Sequence, residues 1–164
     1  MVRGLLVAAL VSLLAACASV QRLDAARDVH ALLISIRDND QAAFDAHVDR
    51  AALKRDMQAK LNKRIDPRLG GWASLLGPSV IDLAGETLVQ PQVFRLVAQR
   101  YGYRSDTGIP NMVEIASALK PLADGRVCAV TKKDGPCLLG FTKEDGVWKL
   151  TSFDGDFSML RLKL

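Results

Sequence analysis

The stretch DGRVCAVTKKDGPCLLGFTKEDGVWKLTSF, residues 124–153, decides the fold because it contains three strand-like runs separated by turn residues. The runs are rich in β-branched, aromatic and other apolar residues, and Asp-Gly pairs, which favour tight turns, lie between them. They cover residues 127–131, 137–142 and 147–153. This pattern predicts an antiparallel β-meander. Residues 160–164 alternate leucine with arginine or lysine and are the expected fourth strand.

The segment before the meander shows apolar side chains at the three- and four-residue spacing that is typical of amphipathic helices. Asp40 and Asp49 occupy expected N-cap positions, and Pro78 and Pro91 suit the first turns of two further helices. Residues 112–119 are expected to form a short helix, although their alternation also permits a strand. Helices followed by strands predict the α+β class, with an N-terminal helical layer packed on a C-terminal antiparallel meander of about four strands.

Composition limits the class of protein. The chain has 164 residues, of which 49% are hydrophobic and 24% charged, and its formal net charge is +4. These values fit one globular domain with a real core, and they exclude a disordered tail, a collagen-like chain and a disulfide-dense miniprotein. The positive surplus is smaller than a dedicated nucleic-acid-binding domain usually carries, so no nucleic-acid partner is expected.

Residues 1–17, MVRGLLVAALVSLLAAC, have the layout of a secretory signal. Arg3 precedes an apolar run that is too short to span a bilayer, and small residues lead to Cys17. Leu14-Ala15-Ala16-Cys17 resembles the lipobox of bacterial lipoproteins. This resemblance implies lipidation of the Cys17 thiol and cleavage after Ala16. The expected organisation is a signal peptide over 1–16, a tether over 17–24 and a single α+β domain over 25–164.

The residue after the expected cleavage site bears on the location. Ala18 is not the aspartate that resembles an inner-membrane retention signal. The outer membrane, with the domain facing the periplasm and held by its lipid anchor, is therefore the expected location, in preference to the inner membrane.

Cys128 and Cys137 remain as an even pair in a chain that is expected to be exported. They flank a turn sequence, and cysteines on facing strands of a hairpin can reach disulfide distance. Closing so short a loop stabilises the fold by about 2.7 kcal/mol in the chain-entropy model. A structural disulfide is expected, and free thiols or a two-sulfur metal site are the alternatives. No metal or other cofactor is expected.

Residues 49–68 are the most polarised part of the chain, with seven cationic side chains against three acidic ones. Lys54, Lys60, Lys63 and Arg64 are the candidate basic docking face for anionic lipid headgroups or an acidic envelope protein. A solvated helix surface is the alternative. Charge reversal of these residues distinguishes the two.

Two groups of ionisable side chains are candidates for catalysis. Asp45, His47 and Asp49 alternate along the chain, and on a helix such residues do not converge, so a cap and two surface residues are expected. Asp82 and Glu86 share a helix face and would form an acid/base pair if buried, whereas an exposed pair simply marks the solvent side. No catalytic residue is assigned.

Three segments together resemble an uncharacterised proteobacterial family of small exported proteins, which is a domain of unknown function. They are VHALLISIRDNDQAAFDAHVDRAALKRDMQAKLNKR, GPSVIDLAGETLVQPQVFRLV and GVWKLTSF. This family implies no activity. The helix break at Arg37-Asp38-Asn39-Asp40 before Val48-Asp49 more distantly resembles the nuclear-transport-factor-like superfamily, which implies a ligand pocket between helices and a curved sheet.

Two functions follow from these observations. The first is a lipid-anchored envelope lipoprotein whose domain binds or scaffolds something at the periplasmic membrane surface without catalysis. The second is a small-ligand pocket protein or isomerase-like enzyme that uses Asp82, Glu86 or Tyr101. The sequence favours the first, because it contains no nucleophile–base constellation.

Overall fold

A computed structural model describes residues 2–64, 89–100, 108–132 and 135–154, and the side chains of residues 18–60, 89–99, 108–132 and 135–154. The helices in these ranges are α1 (Val2–Asp38), α2 (Gln41–Ala46), α3 (Arg50–Arg64), α4 (Pro91–Arg100) and α5 (Met112–Ala118). The strands are β1 (Leu119–Pro121), β2 (Val127–Val130), β3 (Cys137–Glu144) and β4 (Val147–Phe153). Helices precede strands, which confirms the predicted α+β class.

The four strands form one antiparallel sheet in the order β1-β2-β3-β4. Asp145 and Gly146, which join β3 to β4, have φ angles of 50° and 85°. Two consecutive positive φ angles define the type I′ turn, whose twist matches that of the strands it connects. The Asp-Gly pair predicted to be a turn is therefore the residue pair that sets the β3–β4 register.

One face of the sheet packs on the helices. Val127, Phe141 and Leu150 lie side by side on this face, and each is at most 1% exposed. α1 contributes the opposite side of the core through a stripe of side chains spaced three or four residues apart, namely Ala25, Val29, Leu32 and Ile36. The apolar face of the strands, where every second residue points inward, thus packs against the apolar face of α1, where the period is about 3.6 residues. The two faces form a single hydrophobic layer.

The segment between α2 and α3 closes the open edge of β4. Val48 forms an isolated parallel bridge with Leu150. The backbone N–H of Leu150 donates to the carbonyl of His47, and that of Asp49 donates to the carbonyl of Leu150. Outward-facing backbone groups of an edge strand otherwise invite pairing with another chain. This edge is protected here by the chain itself.

The predicted N-caps of α2 and α3 are both confirmed. Asp40 accepts a hydrogen bond from the backbone N–H of Ala43 at 3.0 Å, and Asp49 accepts one from Ala52 at 2.9 Å. Asn39, with a φ of 56°, makes the turn between α1 and α2. Asparagine tolerates this left-handed conformation better than most residues.

One strand of the described sheet was not predicted. β1, at the edge of the sheet opposite β4, begins at Leu119, the residue expected to end a helix. Pro121 favours this strand, because Lys120, which precedes the proline, is driven away from helical geometry towards extended backbone and the helix must end before it. The strand expected at 160–164 and the helix expected after Pro78 lie outside the described residues.

Candidate functional site

The position of Cys17 is the first feature of the candidate site. Residues 17–24, the expected tether, are helical and continue α1 directly into the folded domain. The Cys17 side chain lies outside the described side chains. Among the described residues, none of the helices combines the length and the apolar content that crossing a bilayer requires.

Two carboxylates one helical turn apart join α1 to β4. Asp28, which is buried, accepts a hydrogen bond from the backbone N–H of Trp148 at 2.8 Å. Asp24 accepts one from the Trp148 indole Nε1 at 2.8 Å and one from the Lys143 Nζ at 2.7 Å. The Lys143 ammonium also lies 6.0 Å from the centre of the indole ring. The part of α1 that follows Cys17 is therefore hydrogen-bonded to the sheet.

The contacts of Asp24 also set its ionisation. The hydrogen bond from Lys143, and after it the bond from the Trp148 indole, hold the pKa of Asp24 below its usual value of 3.8, although burial opposes this shift. Hydrogen bonds to the charged form of a carboxyl favour that form. Asp24 is therefore an anion at neutral pH, and its charge is compensated by Lys143.

An open groove of about 420 Å³ lies beside this carboxylate pair, between α1 and the start of α5. Its lining residues are Val20, Leu23, Asp24, Arg27, Met112 and Val113. The four apolar members are all exposed to solvent. We call this feature the α1–α5 groove.

A capping box fixes the backbone of the turn that carries Met112 and Val113. The Asn111 side chain accepts hydrogen bonds from the backbone N–H groups of Val113 and Glu114, and the Glu114 carboxylate accepts one from the backbone N–H of Asn111. This capping box fixes the first turn. Ile115 and Ala116 are buried further along the helix, whereas Met112 and Val113 in its first turn are exposed beside the groove.

Cys128 and Cys137 lie at disulfide distance, with their Cα atoms 5.6 Å apart, in neighbouring strands. This pairing confirms the predicted bridge between β2 and β3. Among the described residues, no three His, Cys, Asp or Glu side chains lie close enough together to hold a metal ion.

The basic stretch is only partly available for docking. The Lys60 Nζ lies 2.6 Å from an Asp56 oxygen and 2.7 Å from an Asp154 oxygen, and it also donates to the carbonyl of Phe153. Burial lowers the pKa of Lys60, but the hydrogen bonds to Asp154 and Asp56 outweigh it and leave the pKa above its usual value. Lys60 therefore ties α3 to the end of β4.

Of the other three predicted docking residues, the structure describes the side chain of Lys54. Lys54 is half-buried on α3. The side chains of Lys63 and Arg64 lie outside the described side chains. Of the predicted docking residues, Lys60 is the one whose structural contacts are described above.

Asp45, His47 and Asp49 are the other sequence candidates that the structure describes, and they do not converge on one site. Asp45 binds Gln41 and Arg50, the His47 Nδ1 lies 2.8 Å from the carbonyl oxygen of Ala43, and Asp49 caps α3. These three side chains thus have separate partners, as expected. Asp82, Glu86 and Tyr101 lie outside the described residues, so the pocket predicted around them stays a prediction.

Sequence reasoning missed the roles of Asp24 and Asp28. A signal was present, because two carboxylates at i and i+4 sit on the helix face next to the apolar positions Ala25 and Val29. Charged residues this close to a buried stripe need a partner. The sequence did not indicate that the partner is Trp148, which lies 120 residues after Asp28.

Compared with protein-family models, curated proteins and solved structures, the chain gives no match. The resemblance to a family of small exported proteins stays a prediction.

Proposed function

We propose that this protein is a lipid-anchored lipoprotein of the bacterial cell envelope whose single domain binds or scaffolds a partner at the periplasmic membrane surface. The observation that carries the proposal is Leu14-Ala15-Ala16-Cys17 at the end of an uncharged apolar run. A thiol is the strong nucleophile that lipid transfer needs, and small preceding residues leave room for a membrane-embedded peptidase. Cleavage after Ala16 would make Cys17 the first residue.

The cysteine pair in the sheet supports an exported location. Disulfides form and persist in oxidising compartments such as the periplasm and are rare in the bacterial cytosol. Cys128 and Cys137 lie at disulfide distance, so the fold uses a bond that this compartment maintains. The outer membrane remains our proposed location, because alanine and not aspartate follows Cys17.

Two carboxylates of the described residues have structural roles in the proposed domain. Asp28 satisfies the backbone N–H of Trp148, and Asp56 satisfies that of Phe153. Both carboxylates thus hold helices against β4 and are occupied by structural hydrogen bonds.

Several acyl chains on Cys17 would give stable attachment, since each buried CH₂ contributes about 0.8 kcal/mol.

Metabolic labelling with a radioactive fatty acid tests the anchor. The wild-type chain is expected to incorporate label and to fractionate with the outer membrane, whereas the Cys17→Ser variant is expected to do neither. Equal incorporation into the two chains would contradict the proposal. The Cys128→Ser variant is the matched control, because it removes a thiol without touching the lipobox and should retain the label.

Charge reversal tests the proposed docking of the basic stretch on an anionic lipid or acidic envelope protein. We would change Lys54, Lys63 and Arg64 to glutamate and leave Lys60 in place, because reversing Lys60 would set three acidic side chains against each other. Loss of a partner from crosslinked envelope would support docking. An unchanged set of crosslinked partners and unchanged lipid association would identify this stretch as a solvated surface.

A further inference from the structure

The α1–α5 groove is an apolar surface that the fold does not cover. Among the described residues, the large hydrophobic side chains exposed to solvent are Val20, Leu23, Leu96, Met112 and Val113. Four of them line the groove, and only Leu96 lies elsewhere. Single exposed apolar residues are ordinary, whereas a contiguous cluster marks a site of interaction with a protein, a ligand or a membrane.

The position of the groove along α1 indicates which of these it contacts. Val20 and Asp24 follow Cys17 by three and seven residues, so all three positions share one side of the helix. At 1.5 Å per residue, Val20 lies about 4.5 Å and Leu23 about 9 Å beyond Cys17 along the axis. The headgroup layer of a bilayer leaflet is about 5–8 Å thick. Because these axial distances are the largest displacements that any tilt of the helix allows, a lipid on Cys17 would keep both side chains within about 9 Å of its own level, in or next to the headgroup layer.

The polar lining of the groove is compatible with lipid headgroups. The single carboxylate among the lining residues, Asp24, already binds Lys143 and the Trp148 indole. The Arg27 side chain is 66% exposed, and its guanidinium lies 3.9 Å from an Asp24 oxygen and 3.5 Å from an Asp28 oxygen, so it adds a positive charge beside these carboxylates. No lining residue therefore presents an uncompensated negative charge to the membrane.

We infer that the α1–α5 groove is seated in the lipid interface, with Val20, Leu23, Met112 and Val113 inserted at the boundary between headgroups and acyl chains. This inference rests on the proposed lipidation of Cys17 and adds an orientation to it. Because Asp24 and Asp28 bond α1 to β4, seating the groove orients the whole domain on the membrane. The domain is a platform of fixed orientation and is not a body that swings freely on its anchor.

A tryptophan placed in the groove reports this insertion. The full-length V113W variant would be purified with its lipid and reconstituted into phosphatidylethanolamine–phosphatidylglycerol vesicles that contain brominated acyl chains. L96W is the matched control, because Val113 is 71% and Leu96 60% exposed and neither residue belongs to the lipobox sequence. Emission of the parent chain is subtracted in each case.

The V113W emission is expected to shift to shorter wavelength and to lose roughly half its intensity to the bromine, because side chains of interfacial helices lie about 5–10 Å into the boundary. The L96W emission is expected to remain unquenched. Equal quenching of the two variants, or none in either, would overturn the inference.

The lipid content of each sample separates this inference from the proposed function. Lipidated V113W that is not quenched would overturn the seating of the groove and leave the anchor intact. Chains without lipid would reject both the anchor and the seating. Dimers that form through crosslinks at the groove, together with unquenched V113W, would overturn the inference in favour of a second copy of this chain.

Discussion

Removing the buried carboxylate of Asp28 gives the sharpest test of how α1 is held on the sheet. The Asp28→Ala variant would leave the Trp148 backbone N–H buried without an acceptor, and such a group costs about 1–3 kcal/mol. Alanine recovers about 0.5 kcal/mol because it forms helix more readily than aspartate. The expected loss of unfolding free energy is therefore about 1.5 kcal/mol. A protein of this size should then unfold roughly 3–6 °C lower.

The assay is thermal unfolding of the full-length chain in detergent, followed by far-ultraviolet circular dichroism. Asp38→Ala is the matched control, because Asp38 is an exposed carboxylate on the same helix that pairs with its neighbour Arg37. We expect this variant to change the free energy of unfolding by no more than about 0.5 kcal/mol. Asp28→Asn, which keeps a carbonyl oxygen, should recover part of the Asp28→Ala loss. Equal midpoints for Asp28→Ala and Asp38→Ala would refute the reasoning.

Three further predictions concern the sheet and its helix contacts. Reduction of the bond between Cys128 and Cys137 should lower the free energy of unfolding by about 2.7 kcal/mol, measured as a shift of the denaturant midpoint, and an unchanged midpoint would contradict the entropic account. Gly146→Ala should cost about 1–2 kcal/mol because of its positive φ, whereas Gly108→Ala, at an open site, should be nearly neutral in the same measurement. Asp24 has a lowered pKa in the folded state, so its stabilising contribution is present above about pH 3.8 and is lost as the pH falls through the folded value. The unfolding midpoint of Asp24→Asn should therefore fall less steeply with acid than that of the wild type, and parallel curves would disprove the link.

The sequence by itself determined the features that depend on neighbouring residues. The three predicted strands of the meander are present, and their runs need only alternating side chains and the turn residues between them. The caps at Asp40 and Asp49 were equally predictable, because each aspartate bonds a backbone group three residues later. The fold class followed from the order of these local elements.

The tertiary structure decided which distant residues meet. Lys60 was predicted to be part of a docking face, but its carbonyl partner Phe153 lies 93 residues further along the chain. Asp24 and Asp28 likewise meet Trp148 across more than a hundred residues. The pairing of such groups depends on which helix packs on which strand, and local hydrophobic periodicity leaves that choice open.

The α1–α5 groove shows the same limit for the candidate site. Val20 and Leu23 read as members of a polar tether in the sequence, and Met112 and Val113 read as ordinary helix residues some 90 positions later. Packing of α1 against α5 brings them together and leaves them uncovered. The sequence thus determined where lipidation is proposed, and only the packing of the chain created the exposed apolar groove that we propose to face the lipid.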